Sequence, residues 1–437
     1  MRVLFVTNDR VGLRRAGPAI RTVELARVLS KHHEVTVASA QPGEMEFDGI
    51  GFIPDALVIP GPLREAARLS DIVVTQGWTL FLFPFLKRAR HLVIELYDPY
   101  LLEHLVYSRS RFLHWGYLRH WYLLNDQMRR GDFFICASER QWDYWLGRLC
   151  ALGRLTPDQY ARDPSFRSLL AVIPFGISSD PPRHTRSVVK GVVPGIAPTD
   201  VLLLWAGGIW QWFDPLTLIR AMEQVSHERS DIKLLFLGVG HPNPQDPEMP
   251  IVGEARELAR GLGVLDRSVF FSEGWVPHAD MQNYLLETDI GVSTHLDIIE
   301  TRFSFRTRVR DYIWAGVPMI LTRGDLFADL VERQGLGVTT QAGDVEGLKN
   351  AILELAANPQ LRHDIHNRLL NVAPQFHWET VAEPLLRYCD RPYHSPRSSR
   401  WRQEAVPLLN WGYQLIYRMG SRLSAGRRQN VRLNKQC

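Results

Sequence analysis

Two doubly wound α/β units, each built on a parallel sheet, are predicted by three features of the sequence. Short apolar, β-branched runs alternate with amphipathic helical patterns. That rhythm restarts after about residue 200. The chain, at 437 residues, is too long for one ordinary hydrophobic core and suits two domains of about 200 residues each. Composition agrees, because 45% hydrophobic and 22% charged residues are the proportions of a globular protein and exclude a disordered polyelectrolyte.

In the first unit, RVLFVTN (2–8) is a buried strand followed by a polar Gly/Pro-containing loop. A helix over 19–32 places Ile20, Val23, Leu25, Ala26, Val28 and Leu29 on its buried side. EVTVAS (34–39), DIVVTQG (71–77), HLVIEL (91–96), FFICAS (133–138) and LLAVIPFG (169–176) read as further strands. The polar, Pro-rich stretch 178–200 is a linker or hinge.

In the second unit, VLLLWAGG (201–208), IKLLFLG (232–238), SVFFSEG (268–274), IGVST (290–294) and PMILT (318–322) are strands. Helices are expected over 216–227, 254–262, 281–287, 306–315 and 346–357. The organisation that follows is a Rossmann-like domain over 1–185, a second over 186–392 and a tail over 393–437. Two such halves face each other across a cleft, where the C-terminal ends of the strands converge.

The longest apolar runs, such as Trp78–Leu86, are too short for a bilayer, which needs ~20 residues. The N-terminus reads as a strand and lacks the apolar core and cleavage site of a secretory leader. Cys136, Cys150, Cys389 and Cys437 match no disulfide framework or zinc spacing, so a reducing cytoplasm is the expectation. The net charge of +4 is unevenly distributed: residues 400–437 carry eight basic side chains against Glu404, so the tail is +7 and the rest is −3. That asymmetry points to a surface partner.

Three segments are placed to carry chemistry. The loop DRVGLRRAGPAIR (9–21) ends in Gly17-Pro18 before a helix, which is either an anion-approaching helix N-terminus or an ordinary capped turn. It is not GxGxxG, so a dinucleotide fingerprint is absent. WAGGIWQWFDPLTLIRA (205–221) repeats the logic: Gly207 and Gly208 permit close backbone approach, and Asp214-Pro215 reads as a helix N-cap. Trp210 and Trp212 either stack on a ligand in the cleft or serve as packing. The third segment, 295–325, holds Asp297, Glu300, Arg302, Arg306, Arg308, Arg310 and Asp311 before a helix ending at Gly316. Acids there can hold sugar or ribose hydroxyls, and an arginine can clamp a diphosphate. Arginine and aspartate three or four apart on a helix also simply pair, and Arg310 reads that way. Glu300, Arg306 and Asp311, bracketed by apolar sequence, read as a site.

The ordered set of segments resembles the family-4, GT-B retaining glycosyltransferases over about residues 1–390. GPAIRTVELARVLSKHHEVTVAS is similar to the family's opening loop, helix and second strand, and VIPFGI (172–177) stands at its "P-N-G-V" strand end. WAGGIWQWFDPLTLIRA, LFLGVG (235–240), VFFSEGWVPHADM (269–281), DYIWAGVPMILTRGD (311–325) and HWETVAEPLLRYC (377–389) follow in the expected succession. The resemblance implies donor-binding roles for Gly17, Arg21, Gly207, Gly208, Trp212, Glu300, Ser304, Arg306 and Asp311. It also implies acceptor-side roles for Glu95, Tyr97, Asp98 and Ser138, which follow strand ends of the first half. Ser138 is equally a helix N-cap, and Asp98 before Pro99 equally a turn.

The chain departs from the family in two places. Gly207-Gly208 replaces the family's glycine-arginine, and its later lysine falls near Trp212-Phe213. Arg306, Arg308 or Arg21 would then have to supply the phosphate-binding charge. The first of the family's two glutamates falls on Phe303, leaving Glu300 as its substitute, while Asp311 takes the second position. Ser304–Tyr312 resembles a subgroup pattern, S-F-R-T-(K/R)-x-x-D-Y. The implied reaction is sugar transfer from a nucleoside diphosphate to an acceptor hydroxyl with retention, Arg306, Asp98 and Glu300 being the catalytic candidates. No cofactor or metal is expected.

Residues 107–130 and 408–433 mix Arg with Trp, Tyr and Leu, a composition of helices that lie on anionic bilayers, so a lipid-linked or cell-envelope acceptor and a peripheral location at the cytoplasmic membrane are expected. The first is equally a helix packed on its own domain. Rival readings are a catalytically inactive GT-B scaffold at the membrane, a GT-B nucleotide-sugar epimerase and a phosphorylase. A dehydrogenase is weaker without GxGxxG, and nothing points to nucleic acid.

Overall fold

The computed structural model describes residues 1–12, 17–43, 48–107, 111–238, 249–272, 274 and 276–395. The basic tail beyond residue 395, and the membrane reading that rests on it, lie outside the described residues. So do residues 13–16 of the first loop and parts of the 235–240 and 269–281 segments.

The first sheet contains β1 (Arg2–Thr7), β2 (Glu34–Ser39), β3 (Ile50–Ile53), β4 (Ile72–Gln76), β5 (His91–Glu95), β6 (Phe133–Cys136) and β7 (Leu170–Val172). Their spatial order is β3-β2-β1-β4-β5-β6-β7, and every pair is parallel. The second sheet contains β8 (Val201–Ala206), β9 (Ile232–Leu237), β10 (Val269–Phe271), β11 (Ile290–Ser293), β12 (Met319–Thr322) and β13 (Gly337–Thr340). Its order is β10-β9-β8-β11-β12-β13, again all parallel. Strands β1, β4, β5, β8 and β11 are buried along nearly their whole length, because helices cover both faces; this is why they read as continuous apolar runs.

In each sheet the strand order reverses direction once, between β1 and β4 and between β8 and β11. Parallel α/β sheets bind ligands outside the C-terminal ends of the strands at such points. The glycine turn after β8 and the segment 294–306 after β11 therefore flank one of these points, as the sequence order required.

Two edge strands, β3 and β13, were not expected from the sequence. Each has four residues and is only partly buried, so neither carries the long apolar run that marks the central strands. The run 169–176 forms a strand only over β7, because Pro174 has no N–H to continue a ladder. The helix expected over 254–262 begins earlier, at Pro250, with proline in its first turn.

The chain crosses between the domains twice. The Ile177 N–H donates to the Phe376 carbonyl (2.8 Å) and the Trp378 N–H to the Ile177 carbonyl (3.0 Å). Helices Trp378–Val381 and Glu383–Asp390 then return to the first domain, where Tyr388 stacks on Phe133 with ring centroids 4.4 Å apart. Gly176 lets the Trp378 indole lie directly on the backbone, where a Cβ would overlap it. Across the cleft, the Gln141 side-chain amide donates to the carbonyls of Tyr97 (2.7 Å) and Phe303 (2.8 Å), one from each domain. Arg310 Nη1 donates to the Gly176 carbonyl (2.8 Å), and Arg140 pairs with Asp329.

Candidate active site

On the first domain's side, helix Gly17–Ser30 starts at the Gly17-Pro18 pair, with the Tyr97 hydroxyl close to Gly17. Arg21, one turn on, is only 1% exposed. Its Nε donates to Glu95 (2.7 Å), and its Nη atoms donate to the carbonyls of Ile173 (2.8 Å) and Pro174 (3.0 Å). The Tyr97 and Phe175 rings cover the guanidinium. Arg21 and Glu95, expected to meet donor and acceptor, are instead engaged with each other in the first domain's interior. Burial pushes the Glu95 carboxyl up, against the pull of Arg21.

Asp98 points to a different partner. It hydrogen-bonds Glu103, in the first turn of helix Tyr100–Tyr107, and Glu300 of the second domain faces both. Burial, with the nearby Glu300 charge, raises Asp98 to about 6. Burial and the Asp98 charge push Glu103 well above the usual carboxylate range, with Arg306 opposing. Buried carboxyls in contact cannot both ionise, so the pair shares a proton. Glu103 is the residue sequence reading missed. Its only signal was its position in the first turn after Asp98-Pro99. Ser138 accepts from the Gln141 N–H (3.1 Å) and caps helix Glu139–Ala151, so its side chain is engaged as the N-cap.

On the second domain's side, β8 ends in Gly207, whose φ of +105° is a conformation that glycine adopts and L side chains rarely do. A Cβ there would meet no heavy atom within 4 Å, so the backbone lies open toward the cleft. Asp214 caps helix Pro215–Glu228, accepting from the Thr217 N–H (3.0 Å) and hydroxyl (2.6 Å). Trp212 is 9% exposed, stacks with Trp210 (5.7 Å, 12°) and packs on the core, so little of its face is free for a ligand.

Glu300 lies in the first turn of the short helix Ile299–Phe303, and Arg306 stands at the N-cap position of helix Thr307–Ala315. They form a bidentate pair, with Nη1–Oε1 at 3.1 Å and Nη2–Oε2 at 2.8 Å, and their side chains are 1% and 3% exposed. The Ser304 hydroxyl donates back to the Thr301 carbonyl (3.1 Å). Asp311 is half-buried beside Arg310 (3.0 Å), and burial raises its carboxyl despite that neighbour. Arg310 does not form the solvated pair three or four residues apart that was expected: it is buried, its partner is the adjacent Asp311, and its Nη1 donates to the Gly176 carbonyl of the first domain.

Arg308 is arranged differently. Its guanidinium lies 4.2 Å from the ring centroids of both Trp205 and Phe213, and Nη2 donates to the Gly208 carbonyl (2.7 Å). Burial, reinforced by the Arg306 charge, lowers it to about 9. The floor under this region is tied by Tyr312, whose hydroxyl donates to the Leu204 carbonyl (2.7 Å) and accepts from the Ala206 N–H (3.1 Å). The hydroxyl thus bonds the β8 backbone at Leu204, the last residue paired with β11, and at Ala206 just beyond it.

Comparison with solved structures decides the architecture. A sucrose-phosphate synthase from Thermosynechococcus elongatus superposes with a TM-score of 0.60 at 14% identity, covering 89% of this chain and 98% of that one. WaaG, a glycosyltransferase involved in lipopolysaccharide biosynthesis, gives 0.60 at 16%, covering 90% and 100%. HepE of Anabaena, solved with UDP-glucose, gives 0.58 at 15%, covering 89% and 99%. The fold is GT-B. Residues 200–358 match the family model described as "Glycosyl transferases group 1", which spans the sheet and glycine turn of the second domain. Among curated proteins no match was found. Domain match and fold together support a glycosyltransferase of the GT-B type.

Among the described residues, His91, Asp132 and His394 offer ligand atoms within 4.8 Å of one another. They lie at the N-terminal end of β5, opposite the cleft. Their two imidazoles are stacked (4.3 Å, 22°), so one cation cannot lie in the plane of both rings.

Proposed function

We propose that this chain is a retaining glycosyltransferase that moves a sugar from a nucleoside diphosphate to an acceptor hydroxyl, without a metal, in cell-envelope polysaccharide or glycolipid synthesis. The observation that carries the reading is the second domain's switch point: an open glycine turn after β8, with the buried Arg308 on the Gly208 carbonyl, inside the segment that matches the group 1 family. In this reading the second domain holds the donor and the first, on which the closing helices Trp378–Val381 and Glu383–Asp390 also pack, holds the acceptor.

The reaction breaks the bond between the anomeric carbon and the β-phosphate oxygen and forms one from that carbon to the acceptor oxygen. The acceptor's proton passes to the departing phosphate. Attack on the face that the leaving group vacates preserves configuration. Positive charge at the switch point stabilises the diphosphate as it leaves. The Asp98–Glu103 pair keeps its shared proton in its own hydrogen bond and offers the remaining carboxyl oxygens to accept from an acceptor hydroxyl. The Glu300–Arg306 pair shapes the opposite wall, and closure of the cleft excludes water.

A membrane-bound acceptor is favoured by helix Arg111–Arg130, which exposes Trp115 (74%), Trp121 (46%) and Tyr122 (62%) near Arg119 and Arg129. Aromatic and basic side chains on one exposed helix suit the headgroup region of an anionic bilayer. No described helix is long and apolar enough to cross a membrane.

The test is a thermal-shift panel of UDP, GDP, ADP, CMP and dTDP with their common sugars. A ligand at 100 times its Kd adds about 2.7 kcal/mol of stability, so one nucleoside diphosphate should raise the melting temperature by several degrees. No rise with any of them would overturn the transferase reading in favour of an inactive scaffold. Flotation with anionic vesicles tests the membrane assignment, and protein left at the bottom of the gradient would refute it.

A further inference from the structure

We infer that Gln141, backed by its neighbour Arg140, is a positioning residue: its side-chain amide latches the two walls of the cleft at one fixed separation. Its part in sugar transfer rests on the transferase reading above, whereas the latch rests on contacts alone.

A buried amide can be satisfied in few ways, and Gln141 has one. It stands in the first turn of helix Glu139–Ala151 and is fully buried. Its Oε1 accepts from the Ala137 N–H (2.8 Å) of its own domain. Nε2 carries two N–H donors, and each has a carbonyl: Tyr97 of the first domain at 2.7 Å and Phe303 of the second at 2.8 Å. Turned over, the amide would set its oxygen against two carbonyl oxygens and its NH2 against the Ala137 N–H. The orientation is therefore fixed, and the domains cannot slide without a hydrogen bond being lost.

The two carbonyls are joined to the carboxyls on either wall. Tyr97 precedes Asp98, and Phe303 ends the helix Ile299–Phe303 that carries Glu300. One amide thus spaces the Asp98–Glu103 pair from the Glu300–Arg306 pair. The Tyr144 ring, one turn along from Gln141, packs on Phe303 with centroids 5.0 Å apart. Arg140 Nη1 donates to the Gly324 carbonyl (2.6 Å), and its guanidinium pairs with Asp329, both beyond β12 in the second domain. Gly324 precedes Asp325, whose carboxylate lies 3.9 Å from Arg306 Nε. A single helical turn therefore grips the two segments that carry Glu300 and Asp325.

Opening the cleft would break the bonds to Phe303, Gly324 and Asp329 and spare those to Ala137 and Tyr97. The broken bonds come from consecutive residues, so they are made and lost together. Water would replace each lost partner, which keeps the net worth of the latch small and lets it release a product. A ligand that touches both walls binds in proportion to the closed fraction, whereas a ligand held by one domain is indifferent to it.

Gln141→Leu keeps roughly the size of the side chain and removes its donors. Arg140→Met cuts the outer half of the latch at a side chain that is 34% exposed, away from the core. Wild type, Q141L and R140M would be compared by small-angle X-ray scattering and by calorimetric titration with UDP, GDP, ADP and their glucose conjugates. Both variants should show a larger radius of gyration than wild type. Q141L should lose about tenfold in affinity for the nucleotide sugar, the worth of one hydrogen bond, and keep the affinity for its nucleoside diphosphate. A merely structural glutamine would lower the melting temperature and leave the scattering and that split unmoved. Unchanged scattering in both variants would overturn the inference and leave the transferase reading standing. No nucleoside diphosphate bound by wild type would overturn the transferase reading, and the scattering would still decide the latch. If Q141L fails to fold, R140M decides: a larger radius supports the latch, and an unchanged one refutes it.

Discussion

Replacing Glu300 with glutamine should destabilise the second domain far more than one conservative change on a surface would. The structure sets the size. Glu300 supplies both acceptors of a bidentate pair with Arg306, at 3.1 and 2.8 Å, and neither side chain is more than 3% exposed. Glutamine keeps one acceptor oxygen and removes the charge. Arg306 is then left with the Thr301 hydroxyl at 3.5 Å and Asp325 at 3.9 Å. Breaking a buried pair by removing one partner costs about 3–5 kcal/mol, and the retained acceptor puts this case near the lower end. At about 2–4 °C per kcal/mol for a domain of this size, a 3 kcal/mol loss lowers the melting temperature by roughly 6–12 °C. Urea unfolding followed by tryptophan fluorescence would measure it. The companion variant, Glu300→Leu with Arg306→Met, removes both charges and should recover most of the loss, since apolar replacement of a whole buried pair is often neutral. A loss below about 1 kcal/mol for E300Q would refute the account, as would a double variant less stable than the single one.

Three further outcomes follow from particular contacts. Asp98 and Glu103 have folded pKa values above their unfolded ones, so they favour folding most at low pH, and that contribution is lost as pH rises through about 6 and beyond. The urea midpoint of wild type relative to Glu103→Gln should therefore fall from pH 4 to pH 8; a constant difference would deny the shared proton. Gly291→Ala should cost about 1–3 kcal/mol, because its Cβ would lie 2.7 Å from the Tyr312 ring, and calorimetry showing no loss would place that ring elsewhere. Ser138→Ala should lower stability by about 1 kcal/mol through loss of the helix cap and leave acceptor KM unchanged, whereas a raised KM at unchanged stability would return Ser138 to the acceptor site.

Most of the architecture was legible in the sequence, for one physical reason. A strand covered on both faces by helices is apolar at nearly every position, and such runs as VLLLWA and the centre of HLVIE stand out. The missed strands, β3 and β13, are short edges with polar or glycine positions and no such requirement. The Asp214 and Ser138 caps were readable because capping is local, acting over three residues. Glu103 was not, because its perturbation comes first from burial, which only the packed structure creates, and then from Asp98 brought against it.

The sequence by itself determined two parallel α/β units, the glycine turn after β8 and a run of acids and arginines before Gly316. Periodicity, turn chemistry and composition are properties of neighbours in the chain. Tertiary structure alone decided the pairing of the charges. Arg21 was claimed by Glu95, 74 residues away, and Arg306 by Glu300, while Arg308 was carried under Gly208 with one nitrogen unmatched. Which buried cation goes unpaired depends on distances of a few ångströms between elements far apart in sequence. Coulomb energy and desolvation act on those distances, and the order of residues does not encode them locally.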